Sequence, residues 1–295
     1  MLFQSSTRYA AAASLALLGS VTAAPLQTRA VEANLLEEFG FYGQYAAAAY
    51  CPGNNNSTGT KLTCSTGNCP LVEAANTTTL TEFEDSMVGD VTGFLAVDST
   101  NKLLVLSFRG ASSTEAWIAN LDFVRVDSDL CDDCGVHKGF WESWLSVVDP
   151  LTEAVEQATA DHPDYSLVFT GHSAGAAVAT IAASAFRNAG TEVDLFSYGG
   201  PRVGDENLAA YLTSQDLGRS YRVTHTADPV PRLPPRLFGY SHTSPEYWIT
   251  SDTGVEVTTK DIEVITETDS DDGNAGTGGL DIDAHGWYFN DISAC

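Results

Sequence analysis

One pentapeptide constrains the fold more than any other feature of the chain. Gly171-His172-Ser173-Ala174-Gly175 follows a strand-like run at residues 166–170 and opens an alanine-rich stretch that reads as a helix over 176–188, closing at Gly190. A serine forced onto a strand-to-helix turn stands clear of the sheet, and small flanking residues let the backbone fold that tightly. The following helix N-terminus adds amide N–H groups and a dipole that favour negative charge. The plain alternative is a tight turn without chemistry. The strand–turn–helix context favours a nucleophile.

Further strand-like runs at residues 93–98, 103–108, 193–198 and 221–225 alternate with helical stretches, among them an amphipathic run over 141–160. Near-continuous apolar strands alternating with helices predict an α/β class fold, a mainly parallel sheet covered on both faces. No internal repeat and no linker divides the chain. It reads as residues 1–23 signal peptide, 24–29 propeptide remnant and 30–295 a single domain. Arg8, the apolar run 10–18 and Val21-Thr22-Ala23 carry the signal reading. That run is too short for a bilayer, and no later stretch approaches the roughly 20 residues a span requires.

All six cysteines follow this leader, so secretion into an oxidising compartment predicts disulfides. Cys64 and Cys69 flank a short turn and Cys131-Asp-Asp-Cys134 is a tight loop. If each close pair bridges itself, Cys51 is left for Cys295. A metal or redox role for Cys131 and Cys134 is disfavoured, because no second CxxC exists and two aspartates raise thiol pKa values. Asn55, Asn56 and Asn76 head glycosylation sequons.

With 14 Lys+Arg against 39 Asp+Glu the net charge is −25, which argues against nucleic acid and against electrostatic docking on anionic membranes. Hydrophobic residues at 43% exclude wholesale disorder. Residues 269–283 are acidic and glycine-rich and read as a solvated loop; their spacing fails as a calcium loop.

Serine at its free pKa needs a base and an orienting carboxylate, in the order Ser…Asp…His for this kind of sheet. Asp228 follows the 221–225 strand on the edge where Ser173 emerges, whereas Asp194, Asp205 and Asp216 sit just past no strand end. His225 lies inside the strand. Spacing leaves His285 and His242 open as the base. Oxyanion donors are expected from the N–H of Ala174 and from Ala111, in the loop after residues 103–108. Trp117, Ile118, Leu121 and Phe123 then form a short apolar patch, either a packed surface helix or a lid over an acyl groove.

These residues closely resemble the filamentous-fungal class 3 triacylglycerol lipases over about residues 35–295. Phe108-Arg-Gly110, His162-Pro-Asp-Tyr165, Gly171-His-Ser-Ala-Gly175, Tyr198-Gly-Gly-Pro-Arg-Val-Gly204, Val230-Pro-Arg-Leu-Pro-Pro235 and Tyr240-Ser-His-Thr-Ser-Pro-Glu-Tyr-Trp248 carry the likeness in one order. The resemblance implies an α/β-hydrolase fold, a triad of Ser173, Asp228 and His285, oxyanion donors Ala111 and Ala174, and a lid over 114–120 carrying Trp117 and Ile118, with Leu121 beside it. It implies pairings Cys51–Cys295, Cys64–Cys69 and Cys131–Cys134. It further implies a secreted monomer cleaving triacylglycerols at a lipid–water interface without metal or cofactor. Feruloyl or short-chain carboxylesterase activity and an inactive lipid-binding module are the alternatives. Three departures stand out. The family usually has leucine at Ala174, often glycine at Ala176, and Ser or Thr at Ala111. The backbone donors survive these changes, while a hydroxyl that fixes the oxyanion loop is lost.

Overall fold

The computed structural model describes residues 30–55, 58–84 and 91–295. The leader and propeptide boundaries expected above, and Asn56, lie outside the described residues.

In chain order the elements are α1 (Ala33–Ala48), α2 (Pro70–Ala74), β1 (Thr78–Glu84), β2 (Thr92–Asp98), β3 (Leu103–Phe108), α3 (Thr114–Asn120), β4 (Arg125–Asp127), β5 (Gly135–His137), α4 (Lys138–Asp161), β6 (Ser166–His172), α5 (Ala174–Asn188), β7 (Asp194–Tyr198), α6 (Glu206–Ser214), β8 (Ser220–His225), β9 (Glu246–Ile249), β10 (Ile262–Ile265) and α7 (Ile282–His285). Eight strands form one sheet in the order β1-β2-β3-β6-β7-β8-β9-β10. The run from β3 to β9 is parallel, and antiparallel pairs close both edges. The mainly parallel α/β class read from the sequence is the class observed.

A sheet buried on both faces needs strands that are apolar throughout, and β2 and β3 are buried at every position. Period-2 alternation then divides them between two cores. Leu95 and Val97 pack with Val147, Leu151, Phe169 and Ile181 under α4 and α5. Phe94 and Ala96 pack with Phe39, Tyr45, Phe196 and Tyr288 under α1 and the C-terminal segment.

Three disulfides, Cys51–Cys295, Cys64–Cys69 and Cys131–Cys134, staple the periphery. The first ties the last residue to the end of α1, which fixes the segment carrying His285. The acidic stretch departs from its reading as a solvated loop. Gly273 and Asn274 are buried within it, because the Asn274 side chain is drawn under the neighbouring loops by hydrogen bonds.

Candidate active site

Five parallel strands end on one edge, and the chemistry-bearing residues gather there. Ser173 sits between β6 and α5 with φ 58° and ψ −130°, a conformation that costs a non-glycine residue on the order of 1–3 kcal/mol. The turn is tight enough that a Cβ on Gly171 would lie 2.6 Å from the Gly175 carbonyl carbon. A bulkier residue at position 171 would open the turn and move the serine.

Asp228 lies past the end of β8, fully buried, and its carboxylate is held from three sides. His285 Nδ1 lies 3.0 and 2.9 Å from its two oxygens. The Tyr288 hydroxyl donates to Oδ2 at 2.6 Å, and the Val230 N–H donates to Oδ1 at 2.9 Å. Gly199, at φ 56°, makes room for this cluster, since a Cβ there would come within 2.9 Å of the Tyr288 hydroxyl. Burial, the Asp228 charge and the bond to Asp228 keep the Tyr288 phenol well above its usual pKa, so it remains a donor.

His172, adjacent to Ser173, lies against His285 with ring centroids 4.5 Å apart and planes tilted by 35°. Its Nε2 faces the His285 carbonyl at 2.8 Å, and its Nδ1 faces the Tyr50 hydroxyl at 2.7 Å. One neutral tautomer satisfies both, with Nε2–H donating to the carbonyl and Nδ1 accepting from the phenol. Burial, reinforced by His285, holds the His172 pKa well below the usual histidine range. His172 thereby fixes the main chain at His285 and puts no second cation beside it.

His242, left open by spacing, points elsewhere. Its Nε2 lies 2.6 Å from the Pro231 carbonyl, and Arg222 and Arg202 crowd it. His225 spans the carbonyls of Ala284 and Ser251. Of the three histidines that neighbour or follow Asp228 in the chain, His285 is the one bonded to its carboxylate. Asp194 pairs with Arg219, and Asp205 caps α6.

Ala111 and Ala174 line one cavity of about 430 Å³ with Phe108, Trp117, Leu121 and Phe140. Trp117 stacks on Phe140 at 6.3 Å. The short helix expected over 114–120 is α3, which Ser113 caps through a bond from the Ala116 N–H. No α3 residue is fully buried. Trp117 and Leu121 face the cavity, whereas Ile118 is half-exposed and does not line it. His137 fastens the end of this segment, with Nε2 2.9 Å from the Asp122 carbonyl.

Ser173 is 2% exposed and His285 1%, and Ser173 Oγ and His285 Nε2 have no hydrogen-bond partner among the described residues. The reactive atoms are shut away from solvent. Among the described residues, the one grouping with metal-like spacing is Cys51, Cys64 and Cys295, whose sulfurs are all in disulfides.

Sequence reasoning missed Tyr288, His172, Tyr50 and Asn274. Only Tyr288 left a signal, three residues after His285 in a short aromatic run.

The arrangement agrees with what the chain is similar to. A family model described as lipase (class 3) matches residues 105–238, and one described as the lipase 3 N-terminal region matches residues 7–81. Secreted mono- and diacylglycerol lipase A of Penicillium cyclopium is 45% identical over 291 residues, 97% of this chain and 95% of its own length. Secreted mono- and diacylglycerol lipase 1 of Fusarium solani is 44% identical over 266 residues, 88% of this chain and 78% of its own. The crystal structure of a mono- and diacylglycerol lipase from Aspergillus oryzae superposes with TM-score 0.85 at 43% identity, covering 88% of this chain and 98% of that one.

Proposed function

The chain belongs to the class 3 lipase family, and on that premise we propose that it is a secreted carboxylic ester hydrolase acting on mono- and diacylglycerols through an acyl-enzyme on Ser173. The triacylglycerol expected from the sequence becomes the poorer substrate, because the relatives above are named for the mono- and diacyl forms. The observation that supports the chemistry best is the His285 Nδ1 bond to Asp228 beside a serine held in a strained turn.

In this reading His285 Nε2 takes the Ser173 proton as Oγ attacks the ester carbonyl, and returns it to the leaving glyceryl oxygen. Asp228 fixes the tautomer with the proton on Nδ1 and stabilises the imidazolium. The N–H groups of Ala111 and Ala174 receive the oxyanion, and water then cleaves the acyl-enzyme by the reverse sequence. The acyl chain lies in the cavity beside Ala174, and α3 moves aside at a lipid surface to admit it.

The test is the initial rate on emulsified monoolein, diolein and triolein, with Ser173→Ala as the blank. The mono- and diacyl rates are expected to exceed the triacyl rate by about tenfold or more. A triolein rate equal to or above the others overturns the substrate reading. A fluorophosphonate that still labels Ser173→Ala overturns the nucleophile.

A further inference from the structure

Three asparagines carry sequons, and the fold sets apart the two that it describes, Asn55 and Asn76. Asn55 follows a short 3-10 turn beside Cys51 and is buried, and its side-chain amide donates to the Ala49 carbonyl at 2.9 Å. An oligosaccharide on that nitrogen would have to share a buried site packed against α1. Neighbouring Asn54 is committed in the same way, to the carbonyls of Ala48 and Thr63. This turn is built around asparagine amides and has no space for sugar.

Asn76 is the opposite case. It ends α2 in the left-handed region, φ 56°, a conformation that asparagine tolerates better than most residues. It is exposed, and its side chain has no partner among the described residues. The Thr100 hydroxyl donates to the preceding carbonyl of Ala75 at 2.6 Å, so the turn that presents Asn76 is anchored. Asn76-Thr77-Thr78 completes the acceptor sequence.

We infer that Asn76 is the site of an N-linked oligosaccharide, and that this glycan shields the exposed apolar surface around it, on the side of the sheet away from the active site. Thr78 opens β1, the outermost strand, and pairs with Val97. Leu103, at the start of β3, pairs with Ser166 at the start of β6, whereas Ser173 follows the other end of β6. The length of a seven-residue strand, about 20 Å, therefore separates the sugar's end of the sheet from the serine's. Two large exposed apolar residues flank the site, Leu71 on α2 and Leu80 on β1. Residues 59–62 already pair with the outer side of β1 at Thr77–Thr79, so what remains open to association between copies is this exposed apolar surface. A branched polyol at Asn76 covers it sterically and leaves the serine's edge free to meet lipid.

The inference rests on the secretory reading and is tested on protein recovered from the medium of a fungal host. The protein is deglycosylated with peptide N-glycosidase in heavy-oxygen water and cleaved with trypsin. Cleavage after Lys61 separates Asn55 and Asn56 from Asn76. The peptide 62–102 is expected to carry heavy-oxygen aspartate at position 76, with Asn55 unmodified. An unlabelled 62–102 peptide, or label at Asn55, overturns the assignment while secretion stands, because the protein was taken from the medium. Asn76→Gln is expected to lose one glycan mass, keep its rate on emulsified diolein within about twofold, and aggregate faster on warming. Unchanged aggregation overturns the shielding role, and the mapping of unaltered protein tests the site whether or not the variant folds.

Discussion

The side-chain amide of Asn274 donates to the main-chain carbonyl of Asp228 at 2.9 Å, and to that of Thr226 at 3.1 Å. The turn it spans is strained, since Thr226 is a β-branched residue at φ 31°. Trp248 Nε1 holds the same Thr226 carbonyl at 3.1 Å. The Asn274 N–H in turn reaches buried Glu246, which pairs with Arg222 at 3.3 Å. Asn274 thus clamps the backbone from which the Asp228 carboxylate projects.

Replacing Asn274 with Ala removes two buried hydrogen bonds and leaves the Asp228 carbonyl unsatisfied, while that of Thr226 keeps Trp248. Stability is expected to fall by about 1–3 kcal/mol. A carboxylate that wanders from His285 is expected to lower kcat about tenfold, with KM little changed. Thermal unfolding and saturation kinetics on a soluble ester check both. A kcat equal to that of the unaltered protein shows that Asn274 holds the loop without holding the site.

Nothing in the sequence announced that clamp, and the reason is physical. The nucleophile turn was legible because it is local, with five consecutive residues specifying strand, turn and helix. Asp228 was legible for the same reason, lying just past a strand of apolar pattern. Asn274 lies in a stretch with no periodicity, and its partners are carbonyls 46 and 48 residues away in sequence, which no side-chain pattern marks. The choice between His285 and His242 could not come from spacing either. It depends on which imidazole the closed chain brings to Asp228, and both are buried with a satisfied ring nitrogen. Strands β1, β9 and β10 escaped because only one or two positions of each are fully buried, so their apolar pattern is broken.

Asp228→Asn tests the orienting role without emptying the site. With its oxygen in the place of Oδ1 the amide still accepts from the Val230 N–H, and its NH2 in the place of Oδ2 can donate to the Tyr288 hydroxyl oxygen, so the fold is expected to hold. It turns an N–H toward His285 Nδ1, which favours the tautomer with the proton on Nε2, unable to accept from Ser173. A fall in kcat of roughly ten-thousandfold is expected. Circular dichroism should be unchanged, and a fall below tenfold would remove Asp228 from the mechanism.

Acid should destabilise the protein earlier than its carboxylates require. Burial depresses the pKa of both His172 and His242 well below the usual value, with His285 crowding the first and Arg222 and Arg202 the second. The unfolded chain then binds protons that the folded one refuses. Stability from these residues is complete above about pH 6.5 and is lost as pH falls below it, by up to about 1.4 kcal/mol per pH unit for each histidine. Urea unfolding between about pH 7.5 and about pH 5 should show this slope. His242→Gln, which keeps a donor for Pro231, should remove its share. An unchanged slope in that variant would exclude His242 as a source.

Adsorption to lipid should be separable from catalysis. Among the described residues, the two most exposed large apolar side chains are Leu237, 90% exposed, and Leu280, 79% exposed. Both sit on loops tied to the backbone around Asp228. Arg232 bonds the carbonyls of Ala227 and Gly279, the Asp281 N–H reaches Ala227, and Leu237 follows the same Asp228–Pro235 segment. The charges beside Leu237 are compensated, Arg236 by Asp271 and Arg125 by Asp205 at 3.7 Å. At a net charge of −25, attraction to anionic headgroups is not available, so an uncharged acylglycerol surface must be held by apolar insertion. Burying one leucine is worth about 1.5–3 kcal/mol at most. The double change Leu237→Ser, Leu280→Ser is therefore expected to weaken partitioning onto diolein droplets by about tenfold or more. Neither residue touches the triad, so the rate on a dissolved short-chain ester should stay within about twofold. Equal loss on both substrates would mean that these leucines support the active-site loops, and no loss on either would place the lipid contact elsewhere on the rim.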